Sequence, residues 1–132
     1  MGEPTSFGCA SCFQCEATQA WEHRASLRLV ARLIDESHFS VSVLACPDCG
    51  QPFVSIFAET IDWSDGDDPQ EWLLLPVAAD EATELQSQGE RLSLAEVERL
   101  GASRRHLDAD FPKGGAQRIE WRAGGLLLPD HD

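Results

Sequence analysis

Apolar and polar residues alternate along the first half of the chain in a way that predicts antiparallel strands. Between residues 38 and 45, apolar side chains alternate with Ser40 and Ser42, which is the two-residue period of a strand with one buried face. The preceding run, LRLVARLI at 27–34, fits a strand and a helical face equally well by itself. Because only the polar link at 35–37 separates the two runs, we interpret them as a β-hairpin.

Turn-forming residues and helix signals divide the rest of the chain into further short elements. Ser93 can cap a helix in which Glu96 stands three residues later, as in a capping box, and Gly101 can end that helix. The sequence also predicts strands at 52–61, 72–75, 117–122 and 126–128, a loop at 62–69, a polar helix at 79–88, and hairpin turns at Gly114-Gly115 and Gly124-Gly125. We therefore expect an α+β fold with an antiparallel β-sheet, two short helices and further strands in the C-terminal half.

The charge of the chain limits the kinds of partner that it can bind. Its 132 residues include 23 acidic and 10 basic side chains, which give a formal net charge of −13, and both halves are acidic. Neutralising nucleic-acid phosphates needs a basic surface, so we expect no nucleic-acid binding. The acidic charge suits a protein partner of basic character, or it serves solubility alone. The sequence shows no apolar run of membrane-spanning length and no secretory signal at its N-terminus, so we expect no membrane association and a cytoplasmic location.

Four cysteines occur as two pairs with the spacing of a metal site. Cys12 and Cys15 form one C-x₂-C pair, and Cys46 and Cys49 form a second pair after 30 intervening residues. A C-x₂-C turn can direct two thiolates at one tetrahedral ion, and the predicted hairpin brings the two pairs together. We expect one zinc ion per chain, bound by these four cysteines.

The residues Cys12 and Cys15 and the run CPDCG at 46–50 resemble the zinc-ribbon class, in which the second pair often has this form. The resemblance covers residues 9–60 and implies a structural zinc in an N-terminal zinc ribbon whose sheet continues into the C-terminal half. The same residues also resemble rubredoxin, which implies an Fe(Cys)₄ electron carrier instead. Glu16 stands where both classes usually have glycine, and the chain lacks the tyrosine that follows the first pair in rubredoxin, so we favour zinc over iron.

Cys9 is a fifth thiol at the same spacing. It lies three residues before Cys12, so Cys9 and Cys12 could form the first pair and leave Cys15 free. We prefer Cys12 with Cys15, because Cys9 belongs to the N-terminal tail. A CPDC dithiol acting alone would be a redox pair, but Cys46 is predicted to follow a strand rather than to begin a helix.

Four thiolates fill the coordination sphere of a zinc ion, which argues against metal-centred hydrolysis because no position remains for water or substrate. We therefore expect a non-catalytic zinc-binding protein-interaction module of the adaptor or inhibitor type. It would be one compact domain over 1–132, with a zinc-ribbon part at 9–61 and an α+β part at 62–132. The alternatives are a rubredoxin-like Fe(Cys)₄ electron carrier and a CxxC thiol-disulfide enzyme that uses Cys46 and Cys49.

Two groups of charged residues are further candidates for binding. The loop at 62–69 carries four aspartates and Trp63, with Trp72 following it, and the spacing of the aspartates does not match an EF-hand. This loop could be a protein-recognition surface or a solvated turn. The run Arg104-Arg105-His106 follows a predicted helix end, where we expect a solvated basic spot.

Overall fold

One antiparallel sheet organises the computed structural model, which describes residues 7–60, 69–112 and 115–128. Its strands are β1 (Arg28–Glu36), β2 (Phe39–Ala45), β3 (Pro52–Glu59), β4 (Gln70–Pro76), β5 (Arg105–Phe111) and β6 (Arg118–Ala123). The α-helices are α1 (Ala17–His23), α2 (Ala79–Gln88) and α3 (Leu94–Leu100), and short 3₁₀ helices cover Arg24–Ser26 and Gly89–Arg91. Each strand pairs with the next one along the chain, so the sheet is a meander with α2 and α3 inserted between β4 and β5. The α+β class and the antiparallel sheet are confirmed, but the described residues form three α-helices where two were predicted.

The hairpin predicted over 27–45 is present as β1 and β2. Glu36 pairs with Phe39 next to its turn. Farther along, the pairing skips Val30 and Leu33, so β1 contains two bulges at the edge of the sheet. The strands predicted at 52–61, 72–75 and 117–122 correspond to β3, β4 and β6.

The two predicted helices cover one face of the sheet. Ser93 caps α3 as predicted, with its Oγ accepting a hydrogen bond from the Glu96 N–H at 3.3 Å. The cluster on this face joins side chains of β1 to β4 with side chains of both helices: Leu33, Phe39, Val41, Val43, Val54, Ile56, Ala58, Leu73, Leu75, Ala82, Leu85, Val97 and Leu100. Fully burying one such large apolar side chain contributes roughly 1.5–3 kcal/mol, so this cluster is the main apolar core. In the described part of the chain, no helix has both the length and the apolar character needed to cross a membrane.

The opposite face of the sheet is covered by the N-terminal segment and α1. This helix packs on β5 and β6. The cluster on this face is smaller, and its buried members are Cys12, Phe13, Ala20, Cys46, Phe53, Leu74 and Leu107. Strands β3 and β4 therefore bury apolar side chains on both faces, and the N-terminal segment supplies the second layer.

Strand β5 was not predicted, because half of its buried side chains are polar. Leu107 joins the apolar cluster under the N-terminal segment. His106 and Asp108 alternate with it and are only 1% and 5% exposed. The expected solvated basic spot at 104–106 is wrong: burial lowers the pKa of His106, whose Nδ1 lies 3.1 Å from the Arg104 carbonyl oxygen. The Arg104 guanidinium forms two hydrogen bonds of 2.6 Å with the Glu81 carboxylate.

The strand predicted at 126–128 is also wrong. Gly124 and Gly125 have φ angles of 111° and 64°, and they turn the chain back onto the end of α3 rather than into a hairpin. A Cβ on Gly124 would lie 2.7 Å from the Ala102 carbonyl oxygen, so this close approach requires glycine. Leu126 then donates its N–H to the Gly101 carbonyl at 3.2 Å and is 3% exposed. The segment thus completes the core as a cap on α3.

A pair of carboxyl groups lies on the helix-covered face of the sheet, between β4 and β5. Asp108 accepts a hydrogen bond from Arg122 Nε at 2.7 Å through Oδ2, while its buried Oδ1 has no donor among the described residues. Burial raises the pKa of Glu71 to about 8, and the neighbouring carboxyls of Asp108 and Asp110 add to the shift. A protonated Glu71 can donate a hydrogen bond to the Asp108 carboxylate, whereas an ionised Glu71 can only accept one.

We predict that Glu71→Gln makes stability less dependent on pH. The folded-state pKa of Glu71, about 8, lies above its unfolded value, so its contribution to stability is present at pH 4 and is lost as pH rises to about 8. Glutamine keeps a donor without this loss. In urea unfolding at pH 5, 7 and 9, the variant should gain stability relative to the wild type as pH rises.

The matched control is Glu96→Gln. The hydrogen bond from Arg99 lowers the pKa of Glu96, so this acid titrates below the tested range. Its effect on unfolding should be constant from pH 5 to 9. A difference between Glu71→Gln and the wild type that does not change with pH would show that Glu71 is ionised in the folded protein.

Candidate metal centre

The first cysteine turn is built on the carbonyl oxygen of Cys9. This oxygen accepts hydrogen bonds from the N–H groups of Cys12 at 3.2 Å, Phe13 at 3.0 Å and Gln14 at 2.8 Å. Three amides converging on one carbonyl fold the chain into a tight turn. As a result the Sγ atoms of Cys9 and Cys12 lie 3.8 Å apart, and the Cys9 N–H also donates to Cys12 Sγ at 3.3 Å.

The second cysteine turn connects β2 to β3. The Gly50 N–H donates to the Cys46 carbonyl at 2.8 Å, and the Cys46 N–H donates to the Gln51 carbonyl at 3.0 Å. Gly50 has a φ of 82°, which favours glycine and closes the turn. Cys46 is fully buried beneath it, whereas Cys49 is exposed. The hairpin strands thus hold the second pair at one end of the sheet.

The two turns bring four thiols to one point. The Sγ atoms of Cys9 and Cys46 are 3.9 Å apart and those of Cys12 and Cys49 are 3.8 Å apart, and all four sulfurs lie within 4.8 Å of one another. A tetrahedral zinc ion with Zn–S bonds of roughly 2.3 Å separates its sulfurs by about 3.8 Å. The arrangement therefore fits one tetrahedral metal ion bound by thiolates.

Cys15 lies outside this group, although the sequence analysis placed it in the first pair. Its Sγ is 3.7 Å from the Ser11 carbonyl oxygen, and its own carbonyl accepts the indole N–H of Trp121 at 2.9 Å. The next residue, Glu16, is the N-cap of α1, so the chain has already left the turn. Both C-x₂-C spacings allow a pair, but the turn closes on the Cys9 carbonyl. The structure thus brings together three of the four predicted ligands and adds Cys9.

Gly8 and Gln51 join the two cysteine turns. Gln51 Oε1 accepts the Gly8 N–H at 2.8 Å, while its Nε2 donates to the Val77 carbonyl at 2.8 Å. Gly8 has a φ of 68°, and a Cβ at this position would lie 2.9 Å from Cys12 Sγ and 2.5 Å from the Phe13 Cβ. Gly8 is thus the sequence signal for a turn that begins at Cys9, and it mirrors Gly50 after the second pair.

Aromatic and arginine side chains fix the first turn to the sheet. Phe13 packs edge-on against Trp121 of β6 with ring centroids 5.0 Å apart. The Arg105 guanidinium lies 4.2 Å from the centroids of both rings and donates a hydrogen bond to the Phe13 carbonyl. The position of the thiols therefore depends on strands from the far end of the chain.

Burial and hydrogen bonding shift the pKa values of the clustered thiols in opposite directions. Burial raises the pKa of Cys12 far above its usual value, and burial also raises the pKa of Cys49. A backbone hydrogen bond from Ser11 lowers the pKa of Cys9 to about 7. Without an ion, the buried thiol keeps its proton, because four thiolates at this distance repel one another. Metal binding must displace these protons, so a zinc ion would be held more weakly as the pH falls.

A histidine that the sequence analysis did not identify also lies at the centre. His23, the last residue of α1, has its Nε2 atom 3.5 Å from Cys46 Sγ and 3.9 Å from Asp48 Oδ2. Its spacing from the cysteines gives no signal, because the approach depends on how α1 packs against the sheet.

Two other histidines, His38 and His106, are not part of this group. His38 pairs with Glu59 at 3.1 Å. Most of the acidic loop and His131 fall outside the described residues, so the recognition role of that loop stays a prediction.

Comparison of the chain with protein-family models, with curated proteins and with solved structures finds no match.

We predict that Cys9→Ser loses metal binding and that Cys15→Ser keeps it. Cys9 Sγ lies within 4.8 Å of the three other clustered sulfurs, and Cys15 is not part of that group. Zinc per chain, measured by elemental analysis after dialysis against a weak chelator, should fall well below one for Cys9→Ser. The Cys15→Ser protein should retain one zinc.

The two variants control for each other, because each removes one thiol from the same short segment. The reverse result would show that the first pair is Cys12 with Cys15.

Proposed function

We propose that the chain is a non-catalytic, zinc-binding protein-interaction module whose zinc site is structural. The observation that carries the proposal is the closed set of four sulfurs from Cys9, Cys12, Cys46 and Cys49. A zinc ion bound by all four would have no open position for water or substrate. The zinc ion would therefore act as a cross-link between the N-terminal segment and the β2–β3 turn.

A structural role for the zinc ion is supported by the absence of regular secondary structure in residues 7–16. Residues 7–16 form turns and bends rather than a helix or strand. They nevertheless cover Phe53 and Leu74 on one face of the sheet. Binding free energies of structural zinc are on the order of 10 kcal/mol in zinc-finger peptides, which is enough to hold such a segment. Iron would use the same sulfurs, so the metal must be identified by experiment.

An interaction role is supported by the exposed edge of the sheet. Leu29 and Val30 on β1 are 54% and 46% exposed, and Val30 stands at a bulge. Apolar side chains on an edge strand favour contact with another protein. With a net charge of −13, the chain would meet a protein partner more readily than a nucleic acid. A reducing cytoplasm would keep its thiols free for zinc.

We predict that the purified protein holds one zinc and that removing it frees the N-terminal segment. Hydrogen exchange after chelation should rise over residues 7–26 and 46–51, because the sulfurs no longer join these turns. Exchange in β3 and β4 should rise less, since the helix-covered cluster remains.

The alternatives give different results. One iron per chain with a red colour would identify an electron carrier. A metal-free protein that reduces disulfides through Cys46 and Cys49 would identify a thiol enzyme.

We predict that the double variant Leu29→Ser, Val30→Ser loses partner proteins that the wild type retains. Affinity purification from the native cells with quantitative mass spectrometry would compare the two. The matched control is Leu127→Ser, which removes another exposed leucine, 74% exposed and distant in sequence from β1. If the double variant and the wild type retain the same proteins, the β1 edge is not the interaction surface.

A further inference from the structure

The contacts of His23 define which of its nitrogens carries a proton. Its Nε2 atom faces Cys46 Sγ at 3.5 Å and Asp48 Oδ2 at 3.9 Å. A metal-bound thiolate and a carboxylate both accept hydrogen bonds and donate none. The nitrogen between them must therefore carry a hydrogen in the metal-loaded protein.

Helix α1 holds His23 in this place. The helix is capped at its start, where Gln19 Oε1 accepts the Glu16 N–H at 3.1 Å. In its middle, Trp21 packs against Trp72 with ring centroids 5.9 Å apart, and the Arg24 guanidinium lies 3.8 Å from the Trp21 centroid. The His23 side chain is 17% exposed. Its approach to the cysteines is thus set by packing on both sides of it.

The two buried sulfurs differ in where they find a donor. Cys12 Sγ accepts the backbone N–H of Cys9 at 3.3 Å. Cys46 is fully buried, and within the described ranges the groups close to its Sγ are the thiols of Cys9 and Cys49 and the His23 Nε2 atom. Both thiols lose their protons when they bind a metal, so His23 becomes the donor that remains.

We propose that His23 is a positioning residue of the metal centre, whose Nε2–H donates to the Cys46 thiolate and offsets its buried negative charge. The inference rests on the proposed function, in which the four cysteines hold zinc. A zinc ion with four thiolates carries a net charge of about −2, and hydrogen bonds to the sulfurs stabilise that charge. Each buried sulfur then has one N–H donor, from the backbone for Cys12 and from α1 for Cys46.

The test compares His23→Ala and His23→Gln with the wild type in the full chain at one fixed pH. Zinc affinity is measured by competition with a chromophoric chelator, and cobalt(II) is used as a spectroscopic probe of the sulfurs. We expect His23→Ala to bind one zinc about 10-fold more weakly, as is typical when an outer-shell partner is lost. Its sulfur-to-cobalt charge-transfer band should shift, because Cys46 loses a donor. His23→Gln, which keeps an N–H group, should recover part of both properties.

The matched control is His38→Ala, which removes an imidazole hydrogen-bonded to Glu59 instead of to a cysteine. It should keep the wild-type zinc affinity and cobalt spectrum. Wild-type values for His23→Ala would overturn the role of His23 while leaving the zinc site intact. Two zinc ions per wild-type chain, falling to one in His23→Ala, would also overturn it, since His23 would then be a ligand of a second ion. A wild-type protein that binds neither zinc nor cobalt would overturn the proposed function and this inference together.

Discussion

The central constraint on this molecule is that strands β3 and β4 are apolar on both faces. Val54 and Leu73 face the helices, while Phe53 and Leu74 face the other way, and all four are buried. A strand pair of this kind needs two covering layers. The first layer is formed by α2 and α3, which pack their own apolar side chains against the sheet. The other is a short N-terminal segment, and the clustered thiols lie where that segment meets the sheet.

The charges of the chain are arranged around the same constraint. Arg122 and Arg118 pair with carboxylates of β5 on the face of the sheet that also carries α2 and α3. On the other face, Arg105 and Arg24 stack on aromatic rings. Planar guanidinium groups suit both tasks, and nine of the ten lysine and arginine residues of the chain are arginines. Since most of these arginines have partners, the unpaired surface charge is mainly acidic.

Alternation of apolar residues predicted β2, the short polar link at 35–37 then assigned the preceding run to β1, and capping signals predicted α3. These signals are local, so one sequence can show them. Strand β5 was not predicted from the sequence, because its Asp108 is buried in an ion pair with Arg122. That partner is 14 positions away, so no local pattern reveals it. Helix α1 was not predicted either, because it has few apolar positions and is stabilised by packing against β5 and β6. The choice between Cys9 and Cys15 depended on backbone hydrogen bonds that equal spacings cannot distinguish.

The hydrogen bond from Trp121 to the Cys15 carbonyl has a consequence for the order in which the molecule is made. It joins residues 106 positions apart. The hairpins of the sheet form between neighbours in sequence and can assemble as the chain leaves the ribosome. All five thiols precede Leu107 and Trp121 in the chain, and these two residues belong to the surface on which the first cysteine turn rests. During synthesis the thiols are therefore made before the surface that holds them in place.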